Sequence, residues 1–285
     1  VEKAGVLKMD FLGIRNLSIL GRAVELVAKT KNAQIDLLHL PLDDKKTFEL
    51  LTRGDTIGLF QLNGAGMTRY LKELRPSSIF DIMAMVALYR PGPIESIPEY
   101  IRRKHNPRLV KYILPQMKNI LDTSYGIITY QDDVLLIAIN IAGYNWEEAD
   151  KFRKAIGKKI PEEMAKQKEK FRSGCLKNGV KEEIATELWA LIEPFAAYGF
   201  NKAHAASYAM VAYQTAYMKA NFPAEFMTAV MIAEEGDLEK IAEAVAECRR
   251  MGIEVLPPDL NQSNENFTYI DDIHIRFGFM AIKNL

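Results

Sequence analysis

The chain has 285 residues, 48% of them hydrophobic and 26% charged, which is the composition of an ordinary globular protein with a sizeable core. Its 37 basic and 37 acidic side chains cancel, which excludes a uniformly basic nucleic-acid coat. No apolar run approaches the roughly 20 residues that span a bilayer. The two cysteines lie far apart and the four histidines are scattered, which argues against a zinc site. The cysteines indicate free thiols in a reducing compartment.

The stretch GVLKMDFLG, residues 5–13, predicts a β-strand. Successive side chains of a strand point to opposite faces, so Lys8 and Asp10 would share one face. The apolar side chains beside them would pack on the other face: Leu7, Met9 and Phe11. Spacing alone leaves two interpretations open, a solvated polar strand face or a metal-binding carboxylate beside a phosphate-binding ammonium.

The chain after this strand predicts a series of helices, marked by apolar spacing, capping residues and breaks at Gly or Pro. The first helices cover 17–29 and Asp43 or Asp44 to Leu51, and two more lie on either side of a break at Arg75-Pro76. A basic helix follows in SIPEYIRRKHNP, then one from Gln131 to the break at Gly143 and one over 146–156. Five further helices follow up to Gly252.

Short β elements and loops complete the prediction. TIGLFQL predicts a short strand, IEVLPPDLNQS a loop, and FTYIDDIHIRFGF a hairpin that turns at Asp271-Asp272. We therefore expect a mainly α fold with strands near both ends, divided near Gly252.

Two clusters could carry chemistry. In ADKFRKAIGKK, the cations Arg153, Lys154, Lys158 and Lys159 fall within seven residues near a helix end. Such a cluster suits a triphosphate, because Arg supplies a planar fork and Lys a mobile charge. The alternative is a solvated charged helix face.

The second cluster lies in GFNKAHAASYAMVAYQTAYMKA, where Lys202 and His204 begin a helix. An aromatic series follows at helical spacing: Tyr208, Tyr213 and Tyr217. Aromatic faces can stack on bases, although tyrosines at this spacing also occur in cores. Arg90, in the turn YRPGP, could clamp a phosphate or be solvated.

No P-loop, GxGxxG, HExxH or GxSxG motif occurs in the sequence. Nucleotide-binding βαβ units, zinc proteases and serine hydrolases therefore have no support.

Six phrases, in order, resemble the bacterial C-family replicative polymerases (the DNA polymerase III alpha subunit, DnaE type). They are LKMDFLG, GLFQLNGAGM, YRPGPIESIPEYIRRK, YGIITYQDDV, ADKFRKAIGKK and FNKAHAASYAMVAYQTAYMKANFPAEF. The resemblance implies the C-terminal part of a palm with its catalytic strand over 1–30 and a helical fingers domain over 31–252. A linker and β-hairpin over 253–285 would lead toward helix-hairpin-helix and OB elements beyond Leu285.

The resemblance also implies roles for the clusters. Asp10 would be the third metal-binding carboxylate of the palm, with Mg²⁺ as cofactor in the complete polymerase, and Lys8 would face the triphosphate. Arg90 and the pair Arg153 and Lys154 would bind nucleotide phosphates, Lys154 standing where the family often has a second arginine. Possible template or nucleotide contacts are Lys202, His204, Lys158 and Lys159.

The implied partners are primer-template DNA, dNTP, the remaining polymerase domains and replisome subunits such as the sliding clamp, with no membrane and a cytoplasmic location. Both ends of the chain look cut, and with one of three metal carboxylates we expect a fragment that is inactive alone. Two other hypotheses are a non-catalytic helical DNA- or protein-binding module, in which Lys8 and Asp10 have no role, and an unrelated helical protein with solvated charges.

Overall fold

A computed structural model describes residues 4–7, 9, 13–158, 161–196 and 199–282. Within these residues the chain is mainly α-helical, with a small three-stranded sheet near its C-terminal end, which confirms the predicted fold class. No helix in this described part is long and apolar enough to cross a membrane.

The predicted helices occur in the predicted order, and a short α-helix over 118–121 is additional. The helices are α1 (Arg15–Lys31), α2 (Lys45–Arg53), α3 (Ala65–Leu74), α4 (Ile79–Leu88), α5 (Ile97–His105), α6 (Lys118–Leu121), α7 (Gln131–Asn140), α8 (Trp146–Lys158), α9 (Pro161–Lys177), α10 (Glu182–Ala196), α11 (Lys202–Asn221), α12 (Pro223–Ala233) and α13 (Leu238–Arg250). The strands are β1 (Glu254–Leu256), β2 (Thr268–Asp271) and β3 (His274–Arg276).

Local chemistry explains several helix ends. The carboxylate of Asp44 accepts the Thr47 N–H at 2.9 Å and so caps α2. That helix is followed by Gly54 with φ +77°, a conformation that glycine adopts without steric cost. Arg75 ends α3 in the left-handed region and its N–H donates to the Leu71 carbonyl.

The chain divides into two compact units. The first comprises Val1–Leu50, Thr56–Asn63 and Gln214–Leu285, and the second comprises Leu51–Asp55 and Gly64–Tyr213.

In the first unit, α1 packs on α12 through buried residues that include Ala23 and Val27. The Thr30 hydroxyl donates to the buried Glu225 carboxylate at 2.8 Å. The buried Lys219 ammonium donates to the Ile57 carbonyl at 2.8 Å. The sheet has the order β1-β3-β2, with β1 parallel and β2 antiparallel to β3.

In the second unit, α7, α8, α9 and α10 enclose an aromatic core. Phe152 stacks on Phe171 with ring centres 6.2 Å apart, and Trp189 contacts both rings at 5.8 Å. Tyr144 packs on the same Phe pair. Burial of this apolar area is the main stabilising contribution of the unit.

Two local predictions are wrong. TIGLFQL forms turns rather than a strand, because positive φ at Gly58 (+81°) and Gln61 (+59°) interrupts an extended backbone. IEVLPPDLNQS contains β1, where a loop was predicted. That strand has three residues and precedes Pro257 and Pro258, while its partner β3 lies about twenty positions further on.

The expected packing at the N-terminus is also wrong where it can be examined. Leu7 and Met9 are 77% and 65% exposed instead of packed. The described residues of this stretch show no strand, and a single strand without a partner cannot bury one face. Lys8, Asp10 and Phe11 lie outside the described residues.

Candidate functional site

The starts of α7 and α11 are joined by backbone and side-chain hydrogen bonds within the second unit. Tyr130 and Phe200 form an isolated parallel β-bridge, and the Gln131 N–H donates to the Phe200 carbonyl at 2.9 Å. The Gln131 amide nitrogen donates to the Gly199 carbonyl at 3.0 Å. The Lys202 N–H donates to the Asp132 carboxylate at 3.0 Å. Residues 70 positions apart thereby form one local structure.

Asp133 supports this junction from inside. Its carboxylate accepts the N–H groups of Thr129 at 2.8 Å and Tyr130 at 2.9 Å, which caps α7. Burial raises the pKa of Asp133 from 3.8 to about 6, although the two N–H bonds and the Lys202 charge act in the opposite direction.

A row of rings follows along α11. Phe200 lies two residues before α11, and His204 and Tyr208 follow it within the helix at four-residue spacing. The His204 ring centre is 5.3 Å from that of Phe200 and 4.0 Å from that of Tyr208. The Arg90 guanidinium lies 4.5 Å from the Phe200 ring centre, in cation–π contact.

Lys202 is the first residue of α11 and lies between Phe200 and His204 in the sequence. Its ammonium is 5.4 Å from the centre of the buried Tyr130 ring. Among the described residues this ammonium forms no salt bridge. We call Arg90, Tyr130, Phe200, Lys202, His204 and Tyr208 together the cationic–aromatic face.

A buried carboxylate holds the helix that leads to Arg90. Asp81 in α4 accepts the Ser77 N–H at 2.9 Å and the Lys104 ammonium at 2.5 Å. The hydroxyls of Tyr100 and Tyr125 donate to its other oxygen at 3.2 and 3.1 Å. Burial raises the pKa of both tyrosines, which keeps them protonated as donors.

The structure brings together three of the predicted site residues, Arg90, Lys202 and His204. Arg153 and Lys154 lie on α8, where each pairs with Asp150 at 2.7 Å, the Lys154 side chain being 61% exposed. Lys8, Asp10, Lys159 and the side chain of Lys158 lie outside the described residues, so their roles stay predictions. Of the tyrosines, Tyr208 joins the face, Tyr213 is fully buried and Tyr217 is partly buried.

Four residues of this site are not predicted from the sequence: Tyr130, Gln131, Asp132 and Phe200. The spacing of Phe200 with His204 and Tyr208 is a signal that could have identified the first ring. The contacts of Gln131 and Asp132 are long-range, and the sequence carries no local sign of them.

Metal binding is not visible in the described part of the chain, which contains no group of three or more His, Cys, Asp or Glu side chains able to hold an ion. The predicted ligand Asp10 lies outside it.

Comparison with known proteins gives a family. The profile of the bacterial DNA polymerase III alpha subunit finger domain matches residues 16–179. The chain is similar along its whole length to DNA polymerase III subunit alpha of Thermus aquaticus, with 48% identity over 294 residues, and of Saccharopolyspora erythraea, with 47% over 290. It is 46% identical over 296 residues to that of Escherichia coli K12.

The chain spans about a quarter of the length of these curated relatives, between 24% and 26%. A helix-hairpin-helix motif profile matches residues 252–285, whereas the sequence resemblance predicts such elements only beyond Leu285. The finger-domain match covers more than half of the chain, and the relatives align with all of it. The chain therefore belongs to the bacterial DNA polymerase III alpha subunit family.

Proposed function

We propose that this chain is the fingers part of a replicative DNA-directed DNA polymerase and that its cationic–aromatic face contacts the incoming dNTP or the template base beside it. The observation that carries the proposal is that Arg90 and His204 lie beside the Phe200 ring, while the Lys202 ammonium lies over the ring of Tyr130, the residue whose backbone is bridged to Phe200. Sequence positions more than 100 residues apart converge there on one surface.

The chemistry of the face suits a nucleotide. Nucleotidyl transfer depends on positioning and on neutralising the phosphate charge, which Lys and Arg supply. The Lys202 ammonium is within 6 Å of a ring and forms no salt bridge in the described part of the chain, so an anion needs to displace no carboxylate from it. His204 and Tyr208 offer ring faces on which a base can stack.

Arg153 and Lys154 have a different setting. Both pair with Asp150 in exposed contacts within one helix, and solvent screening makes such contacts weak. A triphosphate carries more charge than this single carboxylate and can compete for both cations. We assign the pair to the nucleotide phosphates.

Asp10 is proposed as a ligand of Mg²⁺ and Lys8 as a phosphate contact in the complete polymerase. Carboxylate oxygen is the ligand type that Mg²⁺ takes, and the ion would neutralise charge on the reacting phosphates. The remaining carboxylates would come from other parts of the polymerase, so the 285-residue chain alone is expected to lack primer extension. Primer-template DNA, dNTP, the other polymerase domains and the sliding clamp are the proposed partners.

The test uses the full polymerase polypeptide that contains this chain. We would measure KM for dNTP, kcat and primer-template Kd for His204→Ala, Lys202→Ala and the double variant Arg153→Ala/Lys154→Ala. The matched control is Lys166→Ala, an exposed lysine on α9 that pairs with Glu163 of the same helix. We expect KM for dNTP to rise at least about ten-fold in the three variants, since each removes a contact to the reacting nucleotide.

Unchanged KM in His204→Ala and Lys202→Ala would overturn the assignment of the cationic–aromatic face to the nucleotide, and unchanged KM in the double variant would overturn that of Arg153 and Lys154. An equal loss of DNA affinity with unchanged KM would favour the alternative, a helical DNA-binding module that takes no part in the reaction.

A further inference from the structure

The first turn of α7 makes three hydrogen bonds with the segment 199–202, where α11 begins. Gln131 binds it twice, through its backbone N–H to Phe200 and through its side-chain amide to Gly199. Asp132 binds it once, through its carboxylate to the Lys202 N–H. These three hydrogen bonds, made by two adjacent residues, fix the segment 199–202.

These contacts also complete the start of α11. The first N–H groups of a helix have no partner within it. Asn201 accepts the His204 N–H on its side-chain oxygen at 2.8 Å, which satisfies one of them. The Lys202 N–H is another such group, and it donates to the Asp132 carboxylate, which lies 70 positions earlier at the start of α7. This carboxylate also places a negative charge at the positive end of α11.

Lys202 is consequently held at two points. Its backbone is bound by Asp132, and its ammonium lies over the Tyr130 ring. His204 is two residues further along the same helix turn, so a displacement of the Lys202 backbone would move the His204 ring as well. The row from Phe200 to Tyr208 depends on the same junction.

We propose that Gln131 and Asp132 are positioning residues for nucleotide binding: they hold the start of α11 so that the Lys202 ammonium and the His204 ring meet the triphosphate and base of a dNTP. The inference rests on the proposed function of the cationic–aromatic face. Gln131 and Asp132 act through the backbone of 199–202 and need not contact the nucleotide.

Single substitutions at Gln131 and Asp132 distinguish a positioning role from a general structural role. Asp132→Asn keeps an oxygen that can accept the Lys202 N–H and removes only the charge. Asp132→Ala removes both, and Gln131→Ala removes the bond to the Gly199 carbonyl. Asn140→Ala is the control, because Asn140 lies at the other end of α7 and its side chain donates to Leu136 of its own helix.

The experiment measures single-nucleotide incorporation by the full polymerase polypeptide, with dATP opposite a template T, and primer-template Kd in parallel. We expect Asp132→Ala and Gln131→Ala to raise KM for dATP about ten-fold, because small displacements of binding groups have large effects on positioning. Primer-template Kd should change less than about two-fold, Asp132→Asn should stay within about three-fold of the parent KM, and Asn140→Ala should match the parent.

The outcomes distinguish this inference from the function on which it rests. A raised KM in His204→Ala with a parental KM in Asp132→Ala and Gln131→Ala would overturn the positioning role and leave the proposed function standing. A parental KM in His204→Ala and Lys202→Ala would overturn both. A raised KM together with lower kcat, lower DNA affinity and lower thermal stability, in Asp132→Ala and Asp132→Asn alike, would also overturn the positioning role. That pattern indicates general destabilisation of the fold.

Discussion

Replacing Asp133 by Asn should remove a pH-dependent destabilisation of the second unit. Burial raises the pKa of this carboxyl from 3.8 to about 6. The folded protein therefore binds the proton more tightly than the unfolded chain, so stability is highest at low pH and falls as the group ionises. The rise in the pKa of Asp133 from 3.8 to about 6 corresponds to about 3 kcal/mol in the free energy of unfolding. About 2–3 kcal/mol of this should be lost between pH 4 and pH 7. Asn does not titrate, and its oxygen can still accept the two N–H groups of the cap.

The assay is urea unfolding of both proteins at several pH values between 4 and 7.5, followed by tryptophan fluorescence. The chain has two tryptophans, Trp146 and Trp189, and both lie in the second unit. Taking the difference between Asp133→Asn and the parent at each pH cancels the contributions of all other carboxylates. The variant should gain stability relative to the parent as pH rises. A difference in the free energy of unfolding that is independent of pH, or that falls as pH rises, would contradict the prediction. It would show that the hydrogen bonds from the capping N–H groups outweigh the burial of the charge.

Two further predictions concern packing. Asp81→Ala should destabilise the second unit by about 3–5 kcal/mol in the same fluorescence assay, because it leaves the Lys104 ammonium, itself 8% exposed, without its carboxylate; a loss below about 1 kcal/mol would contradict the role of Asp81 as the centre of a buried network. Gly174→Ala should destabilise by more than about 2 kcal/mol, since an added Cβ would lie 2.1 Å from the Ala142 carbonyl oxygen. Gly21→Ala is its matched control on an open helix position and should stabilise by about 0.5–1 kcal/mol in thermal unfolding followed by circular dichroism; equal effects of the two substitutions would contradict the close packing at Gly174.

The sequence predicts the helices well because their signals are local. The cap at Asp44 and the break at Arg75-Pro76 each depend on neighbouring residues, and the turn predicted at Asp271-Asp272 lies one residue further on, at Asp272 and Ile273. The strand β1 was missed because its stability comes from a partner about twenty residues away. Periodicity cannot report such a pairing.

The same distinction applies to the candidate site. Residue type and family resemblance identify Arg90, Lys202 and His204, yet they give neither the ring beneath Arg90 nor the carboxylate on the Lys202 backbone. Those contacts join α7 to the start of α11 and arise only when the chain folds. The ion pairs of Arg153 and Lys154 with Asp150 are local at three and four residues, and helical spacing could have predicted them.

The role of the cationic–aromatic face is tested by the affinity of the full polymerase polypeptide, bound to primer-template, for the correct next dNTP. Pre-steady-state incorporation would give this Kd for the parent, Lys202→Ala and Lys166→Ala. We expect Lys202→Ala to raise Kd for the dNTP at least about ten-fold and Lys166→Ala to leave it unchanged, because only the first removes a charge from the face. Equal Kd values for the two variants would contradict the assignment of this face to the nucleotide.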